Sequence, residues 1–316
     1  MKPKCGLVIA TIGIVSFAIS VLGAELSAKA SALPEELRKG LVLYYSFDSE
    51  PGTMEIADES GQGNNGHPVS VEWIKDGHRG GAANFGMTNS YITVPDRTKL
   101  NPDVLTLSVW IKTSYKDGAW RRIFDKGYDD GYALTMGGDN KNGGSWQGQV
   151  CLRAGKMWAS SGFQVTDGQW HHVIGTCDGA DAKLYVDGKL VTTSHWLGKV
   201  PRTTYDLTIG ENRSKFGSVA HLNAVGASFN GRMDDVMMFN RALSDGEVQA
   251  LFKAQGGVLG EKLGKPVPVA RAPARPSAQN KQSADERLKQ VKQLFDQGLI
   301  DKENYDRKVK EIVDSI

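Results

Sequence analysis

Residues 167–191 read DGQWHHVIGTCDGADAKLYVDGKLV, and this stretch decides how the rest of the chain is read. Residues 170–176 and 182–186 are two predicted strands. Between them Asp178-Gly179-Ala180-Asp181 is a turn, in which Gly179 supplies the positive φ that a tight reversal needs. Asp187-Gly188 starts a second hairpin turn leading to Leu190-Val191. Leu184 and Val186 fall on one face of their strand, with Lys183 and Tyr185 on the other. That alternation marks a strand with one buried face.

The pattern repeats outward in both directions. Short strands are predicted at residues 41–47, 82–85, 91–94, 105–112, 123–125, 132–136, 149–153, 163–165, 207–209 and 233–239. The best alternation is LTLSVWIK, which sets Leu105, Leu107, Val109 and Ile111 on one side. Helix is expected at residues 35–40 and from a Ser244 cap to Phe252, with Glu247 placed for a capping box. The 37 glycines recur in DG, NG and GG pairs that punctuate turns. About a dozen short strands with almost no helix describe an all-β sandwich or jelly roll.

Several of these elements together resemble the laminin G-like, concanavalin A-like jelly-roll family. In order they are LYYSFD, DESGQGNNG, ANFG with SYITVP, LTLSVWIKT, DGQWHHV, LYVDGKLV, LTIG and GRMDDVMMFNRALSDGEV. The resemblance implies a concanavalin A-like β-sandwich over residues 36–255. It also implies a structural calcium, whose matching positions are Asp58, Asn64, Asn65 and Asp234. The residues themselves leave another reading open, a polar loop in which Asp58 and Asn64 bond their own backbone. The same resemblance gives Trp170 and His171 packing and turn-bonding roles.

The ends differ from the middle. Lys2 and Lys4 precede an uncharged apolar run at residues 6–24, the pattern of an export signal. Residues 1–30 are therefore expected to direct export to the periplasm, the cell surface or the medium. They would be cleaved after Ala24 or Ala30, or kept as an anchor. The formal charge of +2 comes from those two lysines, and a neutral remainder argues against nucleic-acid partners. Residues 256–282, with Pro266, Pro268, Pro273 and Pro276, form a linker. Residues 283–316 carry apolar stripes broken at Gly298 and resemble the short α-helical hairpin family called SHOCT, at VKQLFDQGLI. So small a hairpin implies self-association or docking, with a solvated tail as the alternative.

Chemistry-bearing residues are few. Asp234 and Asp235 are adjacent, so a regular strand would point them to opposite faces, as it would His171 and His172. No strand carries the spaced carboxylates of a glycanase, and no nucleophile elbow, phosphate loop or HExxH is present. No enzymatic activity is expected. Cys151 and Cys177 would remain after export, either bridged or as buried free thiols. Trp110 and Trp170 are expected in the core, whereas Trp120, Trp146, Trp158 and Trp196 fall in or near loops. Indoles stack on sugar rings, and Trp120, Arg121, Asp125, Asp129, Asp130, Asp139, Asn140 and Trp146 form the candidate ligand surface. The other reading of that surface is loops folded back as lids. The expected function is recognition of a glycan or glycoprotein, with a tethering or oligomerising tail. A structural adhesion protein and a glycoside hydrolase or lyase are the alternatives.

Overall fold

The computed structural model describes residues 33–51, 54–86, 89–127, 130–139, 145–211 and 228–259, with Lys292 and Lys302 beyond. The export segment 1–30, the linker past 259 and, those two lysines apart, the hairpin 283–316 lie outside the described residues. So do Asp129 and Asn140. The chain divides into two compact units, Met1–Ala270 and Arg271–Ile316.

The first unit begins with α1 (Glu35–Arg38), β1 (Leu41–Tyr45), β2 (His67–Val69), β3 (Glu72–Ile74), β4 (Ala82–Phe85) and β5 (Tyr91–Val94). A 3-10 turn (Thr98–Leu100) leads to β6 (Leu105–Lys112), β7 (Arg121–Lys126), β8 (Tyr132–Met136), β9 (Gln149–Ala154) and β10 (Met157–Gln164). Then come β11 (Trp170–Cys177), β12 (Asp181–Val186), β13 (Lys189–His195), β14 (Leu207–Ile209), β15 (Gly231–Phe239) and α2 (Asp245–Ala254). The strands form two antiparallel sheets. The first is ordered β13-β12-β11-β6-β15-β4-β3, with β1 also paired to β15, and the second β10-β9-β8-β7-β14-β5-β2. The architecture is that of a concanavalin A-like jelly roll.

Alternation explains the packing. Leu105, Leu107, Val109 and Ile111 of β6 point between the sheets, as do Val173 of β11, Leu184 and Val186 of β12, and Val150 and Leu152 of β9. Gly175 sets the closest approach, since a Cβ there would lie 2.8 Å from Leu152 Cδ1 on the facing sheet. The Asp187-Gly188 turn has φ of 49° and 72°, as a two-residue hairpin requires. Two strands, β2 and β3, and most of β10 lie outside the predicted strands, whereas β13 extends the expected Leu190-Val191 arm of the hairpin to His195. β2 and β3 are three residues long, and MWASSGFQ of β10 is poor in β-branched residues. Pairing with β9 makes it a strand.

Cys151 and Cys177 are free. Cys177 belongs to the inter-sheet core, whereas Cys151 lies on the face of β9 opposite to Val150 and Leu152. A sulfur on either side of a sheet leaves no disulfide geometry. Burial pushes both thiols up to about 12.

The outer face of the first sheet is covered. Leu37 of α1 and Val248 and Leu251 of α2 cluster with Tyr44, Ile174, Tyr185 and Met237 of the sheet. α2 starts at the expected capping box of Ser244 and Glu247. Beside it a ring stack runs from His78 to Trp110 (3.4 Å) and from Trp110 to His172 (4.9 Å) and Phe252 (5.6 Å). Trp110 is therefore buried, but on the outside of its sheet. Strand β15 is bulged here, with Asp235 at φ 47°. The bulge brings the two adjacent aspartates, expected on opposite faces, to one residue. Asp234 Oδ2 accepts Arg79 N–H at 3.0 Å, and Asp235 Oδ2 lies 3.4 Å from Arg79 Nη2.

Candidate functional site

The outer face of the second sheet has a different composition. Ladder register places Arg122, Thr135, Cys151 and Ser160 in one row across β7 to β10. Thr208, Asp125, Ala133, Arg153 and Trp158 form the next row. Their chain neighbours Phe124, Leu134, Leu152 and Ile209 fill the core, so these side chains face away from it. Gln149 shares the face and accepts from Ser160 Oγ at 2.5 Å and Gly162 N–H at 3.1 Å. Arg122 Nε pairs with Asp125 Oδ2 at 2.9 Å. Thr135 Oγ1 is buried with no hydrogen-bond partner.

Three half-buried indoles meet at one end of this polar floor. Trp120 lies 4.9 Å from Trp158 and 5.6 Å from Trp146, and Trp146 lies 6.4 Å from Trp158. The Arg153 guanidinium sits 4.3 Å over the Trp158 ring. Trp120 Nε1 donates to Asp139 O at 3.2 Å, and Gln147 Nε2 donates to both Asp139 oxygens at 2.9 and 3.0 Å. The arrangement offers aromatic surface beside fixed donors and acceptors, which suits a flat polyhydroxylated ligand.

Of the residues expected at a ligand surface, Trp120, Asp139 and Trp146 come together. Arg121 adjoins them in sequence, but its guanidinium binds Asp117 (2.6 Å) and Ser228 O (2.6 Å) and lies over Tyr115. Asp130 sits in the turn at the far end of the β7–β8 pair. Trp158, Arg153, Gln149 and Thr135 were missed as site residues. The Gln149-x-Cys151-x-Arg153 alternation against Val150, Leu152 and Ala154 was the available signal for a polar outer face.

Of the residues matched to calcium, Asp58 is bonded to Asn64 and Asn65, and Asp234 has other partners. Asp58 Oδ1 accepts the N–H of Tyr44 (3.0 Å) and Ser60 (2.9 Å), and Oδ2 accepts Ser60 Oγ (2.8 Å) and Asn64 N–H (2.9 Å). Asn65 Oδ1 accepts Asp58 N–H at 2.9 Å, and Asn64 Nδ2 donates to Val42 O at 2.6 Å. Asp234 accepts the N–H groups of His78, Arg79 and Asp235. Donor hydrogens thus occupy both oxygens of Asp58, whereas Asn64 Oδ1 is buried with no hydrogen-bond partner. In this arrangement Asp58 offers a cation no free lone pair, and a calcium ion would have to displace its donors. Among the described residues no group of three or more His, Cys, Asp or Glu converges as a metal site.

Burial, followed by the Asp235 carboxylate, pushes Asp234 up to about 8. His172 is driven down to about 3 by burial and by His78, and burial also lowers His78. Burial opposes the charge on His171, but Asp187 and Asp167, at 2.9 and 3.0 Å, outweigh it and raise the imidazole. Those bonds tie β11 to its turns. They lie on the sheet opposite to the indole cluster.

A family model described as "Concanavalin A-like lectin/glucanases superfamily" matches residues 86–249. Among curated proteins no relative matches the chain. Among the solved structures similar to this chain, two show the shared fold well. The binding domain of Paraclostridial Mosquitocidal Protein 1 is 19% identical with a TM-score of 0.52, covering 68% of this chain and 52% of that one. This chain thus spans about half of that structure's length. Domain 4 of AbnA, a GH43 extracellular arabinanase from Geobacillus stearothermophilus, solved with arabinotriose, is 18% identical with a TM-score of 0.51. There the match covers 67% of this chain and 97% of that one. The strand order, the paired sheets and a family match over more than half of the chain agree, and the chain belongs to the concanavalin A-like lectin/glucanase superfamily.

Proposed function

We propose that the protein is a non-catalytic module that recognises a glycan or glycoprotein on the outer face of its second sheet. The observation that carries this reading is the convergence of Trp120, Trp146 and Trp158 beside the polar floor of Gln149, Thr135 and Arg153. Indole faces would stack on sugar rings, and the floor would bond the hydroxyls. The arabinotriose complex of a similarly folded arabinanase domain supports an oligosaccharide as ligand. Asp125 supports the non-catalytic part, since its carboxylate is held by Arg122 and so is poorly placed to carry a proton to a sugar.

In this reading residues 1–30 export the chain, and residues 283–316 tether it or join copies. Linked copies would raise weak sugar affinity through effective concentration. The test is an oligosaccharide array probed with the mature full chain, followed by calorimetry on Trp158→Ala and Trp120→Ala. Binding to one glycan class, weakened at least tenfold by each variant with unchanged melting, is the expected result. Undiminished binding in both variants would move the site elsewhere.

A further inference from the structure

The chain crosses from the second sheet to the first at Ser70–Val71, between the edge strands β2 and β3. Beneath the crossover is a cavity of about 160 Å³, walled by Phe47, Ile56, Val71 and Trp73, with Glu50 and Glu72 also in the lining. Phe47 and Ile56 belong to the inter-sheet core, so the cavity reaches into it from the rim. Trp73 Nε1 already donates to Phe47 O at 2.7 Å. This satisfies the indole's polar atom and leaves its carbon surface for contact. The indole is seated on Gly81, where a Cβ would lie 2.4 Å from Trp73 Nε1.

From this geometry we infer a second recognition site, independent of the indole cluster, which takes the side chain of a lysine or arginine from a partner polypeptide. Four observations select that occupant. The volume suits one long side chain and is below that of ordinary small-molecule sites. Apart from the two glutamates the lining residues carry apolar side chains, which suits an aliphatic stem. Glu72 meets Asn84 Nδ2 at 3.2 Å, and among the described residues neither glutamate forms an ion pair, so a cation would find both carboxylates open to it. Trp73 adds the attraction of a ring face for a cation. The partner is a polypeptide because, among the described residues, β3 pairs with β4 on one side alone, leaving an edge along which an extended segment can lie.

The test is NMR on the full-length ¹⁵N-labelled chain, following the Trp73 indole N–H, assigned with Trp73→Phe. The probes are the N-acetyl methylamides of arginine, lysine and norleucine. Saturable shifts are expected from arginine and lysine, and weaker ones from the neutral norleucine derivative. Glu50→Gln and Glu72→Gln should each weaken the cationic probes about threefold, the size of an exposed ion pair. Ala83 also lines the cavity, and Ala83→Leu should remove the response by filling it. Glycan binding and melting serve as controls for folding and should not change in the glutamine variants. Equal response to norleucine, no response to any probe, or full response in the Glu50→Gln/Glu72→Gln double variant would overturn the assignment.

Discussion

The two outward faces of the sandwich are built on the same ladder geometry and carry opposite chemistry. On the first sheet Tyr44, Ile174, Tyr185, Met237 and the Trp110 stack lie under α1, α2 and the loop bearing His78. On the second, Gln149, Thr135, Arg122 and Arg153 lie beside half-buried indoles. Aromatic rings occur on both. On the first face they are sealed by a helix, and on the second they meet one another at the end of a polar floor. Covering an aromatic residue makes it a stabilising element, whereas leaving its ring accessible makes it available to a ligand.

The sharpest way to break this contrast is Trp110→Ala. Removing a sealed indole should cost about 3–5 kcal/mol and lower Tm by roughly 10 °C, since about 1 kcal/mol shifts a domain of this size by 2–4 °C. Sugar affinity per folded molecule should be unchanged. The reciprocal change, Trp158→Ala, should weaken glycan binding by about 2 kcal/mol, as for an anchor side chain, while Tm stays within about 2 °C. If both variants lost stability equally, the division of labour between the faces would be wrong.

A smaller effect separates the faces by pH. The proton that folded Asp234 retains up to about 8 is released by the unfolded chain near its ordinary 3.8, so this contribution to stability is lost as pH rises through 8. Raised His171 acts in the same sense above its ordinary 6.5. His172 and His78, both lowered, act oppositely, and their contribution is lost as pH falls below 6.5. Melting curves should therefore peak near pH 6.5. Asp234→Asn should flatten the alkaline limb, and His172→Phe, which keeps the stack, should flatten the acid one. All four groups belong to the first sheet or to the loop against it, so Trp158→Ala should leave the profile intact. The smallest effect expected is that of calcium. Adding it after chelation should move Tm by less than about 1 °C, because Asp58 is already bonded by Tyr44, Ser60 and Asn64. A rise of several degrees would mean that a cation displaces those donors.

Much of the fold could be read from local pattern. The β6 alternation, the Asp187-Gly188 turn and the Ser244 capping box depend on neighbours in sequence, and each appears as expected. The candidate site depends on ladder register. Trp158 reads as a loop residue until β10 is aligned with β9, and it meets Trp120 because β7, β8 and β9 lie between chain segments far apart in sequence. The facing of Asp234 and Asp235 was misread for a similar reason, since nothing local announces the bulge that overrides strand alternation.

Cys151 and Cys177, the free cysteines among the described residues, give this molecule a pair of built-in clocks. With both thiols held near 12 and shielded, neither reacts with an alkylating reagent until its surroundings open. Cys151 lies under the indole face and Cys177 in the inter-sheet core, so their labelling rates time two different openings. Cys151 labelled ahead of Cys177 would record breathing of the ligand face alone, and equal rates would record the sandwich coming apart as a whole. A bound sugar should slow the first clock without touching the second.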